Sequence, residues 1–332
     1  MNKKNVRKIF LLAAFFCLVS ALGSLCLGAA KLSPLQLWQA VRGGVQSGYE
    51  GYIVWYVRVP RTAACLLAGG ALAVSGVIIQ AVLANPLASS SIIGVNAGAG
   101  MAVTICCAFG AVSGWLIAGA SFLGALAAVL LVAVTAQRRK ASRSTVILGG
   151  VAVNSFFNAV SEAITTLIPE AGTLSSDFRV GGFSSVSYLR LIPAAVLIII
   201  AFAAIMTLCN ELDLMNLGEE TAQSLGLSVK KMRTVFLGLA ALLAGASVSF
   251  AGLLGFVGLI VPHMMRRMVG GESRYLIPLC MIGGAGFVTF CDVLARVLFV
   301  PYEIPVGILM SFIGGPFFVW MILKRKAGHS HA

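Results

Sequence analysis

The 332 residues are 59% hydrophobic and only 11% charged, with a mean hydropathy of +0.98. Soluble domains are about 45–50% apolar and about 25% charged, so one water-wetted core could not hide this excess. A sizeable soluble domain is excluded: residues 1–332 have room for about ten membrane-length crossings plus short loops, a single membrane domain.

The first apolar run, 9–29, follows Lys3, Lys4, Arg7 and Lys8. A secretory signal has the same layout, but this run is long for one and nothing soluble follows it, so it reads as a retained first helix. Segment 30–57 opens with Ser33-Pro34-Leu35-Gln36. That is an N-cap, a proline at the first helical position and a capping-box glutamine, which predict a short helix to about Arg42, stopped at Gly43-Gly44.

Further runs follow at 60–83, 92–110, 114–135 and 145–168. In the last of these, Asn154, Asn158 and Glu162 recur at i, i+4 and i+8, one polar stripe on a helix. An intramembrane carboxylate is costly and faces a cavity or a partner. The stripe is therefore a candidate lining of a translocation path; hydrogen bonding between helices of the chain is the alternative. Segment 169–188, rich in Gly and Ser, is expected to be irregular.

After the run at 189–209 comes 211–233, the longest stretch between spans on its side. Asn216-Leu217-Gly218-Glu219 resembles a capping-box start, Gly226 a stop, and Ser228 a cap for the next helix. A short capped helix against one membrane face is what a docking element would look like. Runs at 234–252, 254–267, 275–297 and 304–323 complete the set.

With ten crossings both termini share a side, and the 24 basic residues choose it. The side holding the N-terminus carries 17 of them, including Arg138, Arg139, Lys140, Lys230, Lys231 and Arg233. The other side carries seven: Lys31, Arg42, Arg58, Arg61, Arg179, Arg190 and Arg296. Positive residues stay inside, so both termini are expected in the cytoplasm. The net charge of +13 follows mostly from that orientation and requires no nucleic-acid partner.

Other residues point to little chemistry. The eight cysteines lie almost all in apolar runs without CxxC spacing, and read as small packing residues. His263 lacks neighbours of ligand type and reads as a structural residue at a helix end; His329 and His331 sit in a polar tail. No metal site and no catalytic residue is indicated. The 37 glycines suit close helix packing in lipid, as in Gly94-Val-Asn-Ala-Gly98.

Several motifs occur in order along nearly the whole chain. They are Arg58-Val-Pro-Arg61, Gly70-Ala-Leu-Ala-Val-Ser-Gly-Val-Ile-Ile-Gln80, Asn85-Pro86-Leu87-Ala88, Gly94-Val-Asn-Ala-Gly98-Ala, Leu217-Gly-Glu-Glu-Thr-Ala-Gln-Ser-Leu-Gly226, Gly255-Phe-Val-Gly-Leu-Ile-Val-Pro-His263 and Glu303-Ile-Pro-Val-Gly307. Together they resemble the permeases of ATP-driven importers for iron siderophores, haem and vitamin B12. Two departures stand out: Ser89-Ser90-Ser91 replaces an acidic residue and proline, and Phe178 and Gly181-Gly182 replace a Trp and a Gly-Ser.

The resemblance implies an all-α bundle of about ten transmembrane helices in the bacterial cytoplasmic membrane. It implies a homodimer of this chain, two cytoplasmic ATPase subunits and an extracytoplasmic substrate-binding protein. It also implies roles: Arg58, Arg61 and Arg296 for docking that protein, with snorkelling interfacial anchors as the alternative for all three and an Arg296–Asp292 pair as a further one for Arg296. The segment Leu217, Gly218, Glu219, Glu220, Thr221, Leu225 and Gly226 would couple to the ATPase; acids complementing a helix dipole are compatible with that. The chain has no G-x-x-x-x-G-K-[ST] loop, so it would bind no cofactor, and ATP and Mg²⁺ would be used by the partner. An iron chelate is the expected cargo, with a corrinoid as the alternative. An ion-coupled secondary transporter relaying protons through Glu162 or Asp292 is the rival class; a membrane enzyme would need convergent titratable groups, which the sequence does not offer.

Overall fold

In a computed structural model, residues 3–28, 32–137 and 143–327 are described; Lys31, Arg138, Arg139, Lys140, His329 and His331 lie outside them. The described residues are mostly helical, and no strand occurs among them. The helices are α1 Lys3–Cys26, α2 Pro34–Gly43, α3 Tyr49–Tyr52, α4 Val59–Val82, α5 Val95–Ala108, α6 Gly114–Gln137, α7 Arg143–Leu167 and α8 Pro169–Val180. They continue as α9 Tyr188–Thr207, α10 Cys209–Asn216, α11 Glu219–Ser224, α12 Val229–Ala251, α13 Val257–Val269, α14 Ser273–Val297 and α15 Val306–Ala327.

Seven helical stretches among the described residues are long and apolar enough to cross a membrane. The remaining runs of the expected ten form shorter units: α5 with 14 residues, α13 with 13, and α15 with its apolar part at Val306–Met321. A 14-residue helix reaches only about 21 Å, short of a hydrocarbon layer of about 30 Å. Irregular backbone makes up the difference. Residues 83–94 precede α5 and residues 252–256 precede α13. Such backbone is tolerated at membrane depth only when protein buries it or it lines a cavity. Here Ala88 and Ile93 are fully buried, and the carbonyls of Ser91 and Ile92 accept from Asn154 Nδ2 at 2.8 and 3.0 Å.

Helices α4, α12 and α14 form the interior: α14 packs on α4 and α1, while α12 packs on α4, α6 and α9. Burial separates the roles, with 83% of the apolar window buried in the span containing α4 against 17% in that of α7. The close approaches rest on glycine. A Cβ on Gly76 would strike the carbonyl of Gly258, and one on Gly98 that of Gly124. Phe256, the N-cap of α13, adopts φ +64, left-handed and costly for a bulky residue. Its ring lies where a Cβ on Gly314 would be.

Three expectations need correction. Segment 169–188 is not irregular throughout: Pro169 at the first helical position starts the 12-residue α8, which ends at Gly181 with φ +78. The second span begins ahead of residue 60, because α3 runs through a π-helical turn, Ile53–Arg58, into α4. Finally, Asn216 does not cap α11. Its N-cap is Gly218, with φ +107 and no capping side chain, and Ser228 makes no capping bond to α12. Ser33 and Gln36, by contrast, form the expected capping box on α2.

Candidate docking, coupling and translocation sites

The three arginines grouped by the sequence do come together, where α1, α4 and α14 end. Asp292, fully buried on α14, is held by two guanidinium groups. Arg61 Nη2 donates to it at 3.0 Å and Arg61 Nε at 3.2 Å, and Arg296 Nη2 pairs with its other oxygen at 3.0 Å. Arg296 also donates to Ser24 Oγ at 2.8 Å and to the carbonyl of Leu27 at 3.1 Å. Arg58 donates to the carbonyls of Leu25 and Cys26 at 2.6 and 2.9 Å. The exposed end of α1 is thereby tied to both interior helices.

These side chains are therefore not free outer-surface cations: Arg58, Arg61 and Arg296 are 4%, 9% and 3% exposed. The Arg296–Asp292 pair is the alternative named from sequence. One member of the cluster is accessible. Glu303, from the loop before α15, accepts from Arg61 Nη1 at 2.8 Å with a third of its side chain exposed. Beside it lies a cavity of about 230 Å³ whose walls include Arg61, Asp177, Arg190 and Glu303.

The end of α8 is stitched into the same region by backbone. Leu253 N donates to Phe178 O at 3.0 Å, Gly182 N to Ala251 O at 2.9 Å, and Gly307 N to Gly181 O at 3.2 Å. A Cβ on Gly307 would strike Val180 O, so this three-way junction needs bare backbone.

On the opposite end, α10 and α11 form a compact step between α9 and α12. Leu217 and Leu225 flank α11 with 60% and 59% exposure, and Glu220 and Thr221 are exposed between them. Glu219 pairs with Arg233 near the start of α12. Asp213 of α10 accepts from Ser273 N at 2.9 Å and Ser273 Oγ at 2.6 Å, so it caps α14 from outside that helix. Gly218 and Gly226 both have positive φ, as chain reversals on either side of a six-residue helix require. The step thus presents apolar and acidic side chains outward and is fastened to two interior helices.

The α7 stripe divides. Asn154 is committed to the carbonyls before α5, so the hydrogen-bonding alternative describes its amide group. Asn154 and Asn158 also line a cavity of about 290 Å³ with Ser91, Asn96, Ser161 and Arg179. Glu162 is exposed and lies outside that lining. His263 sits edge-to-face on Phe317 at 6.0 Å. The sequence missed Asn96, Arg179, Arg233 and Glu303. Only tertiary placement marks Arg179 and Arg233, whereas Asn96 and Glu303 lie within motifs given above.

A profile of the FecCD transport family matches residues 15–324. The hemin transport system permease protein HmuU of Yersinia pestis is 32% identical over 319 residues, covering 94% of both chains. The iron(3+)-hydroxamate import system permease protein FhuB of Bacillus subtilis is 35% identical, covering 96% of this chain and 84% of the relative. The vitamin B12 import system permease protein BtuC of Klebsiella pneumoniae is 31% identical, covering 98% and 96%. Among solved structures, an inward-facing conformation of a putative metal-chelate type ABC transporter superposes with TM-score 0.83 at 28% identity, covering 96% of this chain and 99% of that one.

Proposed function

From the premise that this chain belongs to the FecCD transport family, whose profile spans residues 15–324, we propose that it carries an iron chelate inward across the bacterial cytoplasmic membrane. It is a multi-pass permease of the ABC importer type, a transporter component that works with ATPase and binding-protein partners. Two copies of the chain form the pore in this proposal, and cargo crosses between them by alternating access. A corrinoid is the alternative cargo.

The observation that carries the reading is the step made by α10 and α11. An exposed Leu217–Leu225 flank on a helix fastened by Glu219–Arg233 and Asp213–Ser273 suits a surface that receives force from a partner. Closure of the ATPase pair pushes on that flank, and the two ties pass the displacement to α12 and α14. In this proposal the ATP chemistry belongs to a partner subunit, a reading supported by the lack of a G-x-x-x-x-G-K-[ST] loop in this sequence.

The binding protein docks at the arginine cluster in this proposal, and its carboxylates meet a site already occupied from within. Glu303 is the accessible acid on Arg61, so an incoming acid exchanges with Glu303 rather than meeting a bare cation. Exchange frees the loop leading to Gly307 and hence the α8 junction.

The test is uptake of labelled ferric siderophore and labelled cobalamin into proteoliposomes holding the assembled importer. ATP-dependent uptake that is lost on Leu225→Asp supports the reading. Uptake that follows an ion gradient without ATP would instead make the protein a secondary transporter.

A further inference from the structure

Between α1 and α4, at the end of the bundle that carries the arginine cluster, the ten-residue α2 shows three different sides. Its inward side holds Gln36, Leu37 and Ala40. Ala40 is fully buried and its carbonyl accepts from Trp55 Nε1 at 3.1 Å, while Gln36 Nε2 donates to Glu50 at 3.4 Å. Leu35, Trp38 and Val41 follow at i, i+3 and i+6, and all three are exposed. Gln39 and Arg42, also exposed, make the third side. The Arg42 guanidinium lies over the Trp38 ring, 4.6 Å from its centroid, and no carboxylate among the described residues pairs with it.

Neighbouring residues fix the height of this stripe relative to the bilayer. Tyr49, Tyr52 and Tyr56 are exposed at i, i+3 and i+7. Tyr52 and Tyr56 stack at 5.1 Å, Tyr56 meets Tyr188 edge-on at 6.5 Å, and Tyr188 donates its hydroxyl to Trp55 O at 2.6 Å. Tyr188 is the first residue of α9, a span whose Ile192, Val196 and Ile199 are exposed along its outer face. The tyrosines therefore stand where that lipid-facing surface ends, at the level of an aromatic belt. Length agrees: the span Tyr49–Val82 has 34 residues, about 51 Å at about 1.5 Å per residue, so its first turns outreach a hydrocarbon layer of about 30 Å. The ties from Gln36 to Glu50 and from Trp55 to Ala40 hold α2 at the same height.

We propose that residues 33–56 form a collar lying on the outer leaflet. Leu35, Trp38 and Val41 sink to the acyl boundary, the tyrosines sit among the headgroups, and Arg42 pairs with a lipid phosphate. The apolar stripe and the polar side of α2 are adjacent, as a helix lying in the interface requires, and Arg42 rests on Trp38 while its charge reaches the headgroups. Continuity with the lipid face of α9 favours a bilayer over a soluble partner. The collar leads through the π-helical turn Ile53–Arg58 to Arg58, which holds the end of α1 through the carbonyls of Leu25 and Cys26. It thereby sets the height of the docking arginines above the membrane. The importer reading makes this leaflet the outer one; the lipid contact stands without it and with any cargo.

The experiment uses the full chain in nanodiscs of equal phosphatidylcholine and phosphatidylglycerol. The photoreactive residue benzoylphenylalanine replaces Leu35 or, in a second variant, Trp38, and the adducts are identified by mass spectrometry. Ile192 on α9, replaced in the same way, is the lipid-facing control. Lipid adducts are expected at all three positions. In the Leu35 variant, adding Arg42→Gln should lower the ratio of phosphatidylglycerol to phosphatidylcholine adducts about fivefold, the usual worth of one basic residue at an anionic surface. Positions 35 and 38 that give no lipid adduct while the control does overturn the collar. So do lipid adducts there that give way to adducts on the binding protein once it is added, which would make the stripe a protein-docking surface. A ratio untouched by Arg42→Gln overturns the phosphate contact.

Discussion

Asp292 and Arg61 meet through three hydrogen bonds of 3.0 to 3.2 Å across 231 positions of sequence, with Asp292 completely buried. Arg296 shares the same carboxylate. Removing one partner of a buried ion pair leaves a charge uncompensated and costs about 3–5 kcal/mol, well beyond the net worth of the pair. Asp292→Asn strands two guanidinium groups at once. Its melting temperature in detergent, followed by fluorescence size-exclusion, should fall by roughly 4–7 °C on the usual scaling for a chain of this length. A fall of only a degree or two would mean that the cluster does not hold α4 and α14 together.

Glu303→Gln keeps the acceptor oxygen on Arg61 but removes the charge that competes with an incoming carboxylate. Surface plasmon resonance should show the binding protein docking about three- to tenfold more tightly on the nanodisc-embedded importer, equivalent to about 0.6–1.4 kcal/mol. Arg61→Lys should shrink that gain. Weaker docking of Glu303→Gln would show that the acid itself belongs to the docking surface.

Arg233 is buried at the start of α12 and pairs with Glu219. Glu219→Gln should leave the ATPase subunits attached while the cargo moved per ATP hydrolysed drops several-fold, because the step yields before α12 follows. Leu225→Asp should instead remove the subunits, read by co-purification. If Glu219→Gln lost the subunits as well, the residue would be a contact and not a tie.

Glycine positions separate packing from tolerance. Gly76→Ala places a methyl against the Gly258 carbonyl and Gly98→Ala one against Gly124, both backbone atoms that cannot swing aside. Each should abolish accumulation of folded protein in the membrane. Gly238→Ala on α12, where no atom outside its own helix stands within 4 Å, should be neutral or slightly stabilising. Equal yields from all three would contradict the close packing of α4 on α13 and of α5 on α6.

The sequence by itself determined the membrane class and most helix positions, because hydropathy and the cost of unpaired backbone in lipid act locally. It also located the α2 capping box at Ser33 and Gln36 and the α11 stop at Gly226, since caps and left-handed turns depend on a few adjacent residues. Even α8 carried its signals, Pro169 and Gly181, beneath a composition that reads as loop. Tertiary structure decided the partners. That Arg61 faces Asp292 and Glu303 inside the bundle, that Asp213 caps α14, and that Arg179 lines one cavity with Asn96 all join residues separated by tens to hundreds of positions. No local periodicity encodes such pairs; close glycine contacts and the breaks before α5 and α13 set which faces meet.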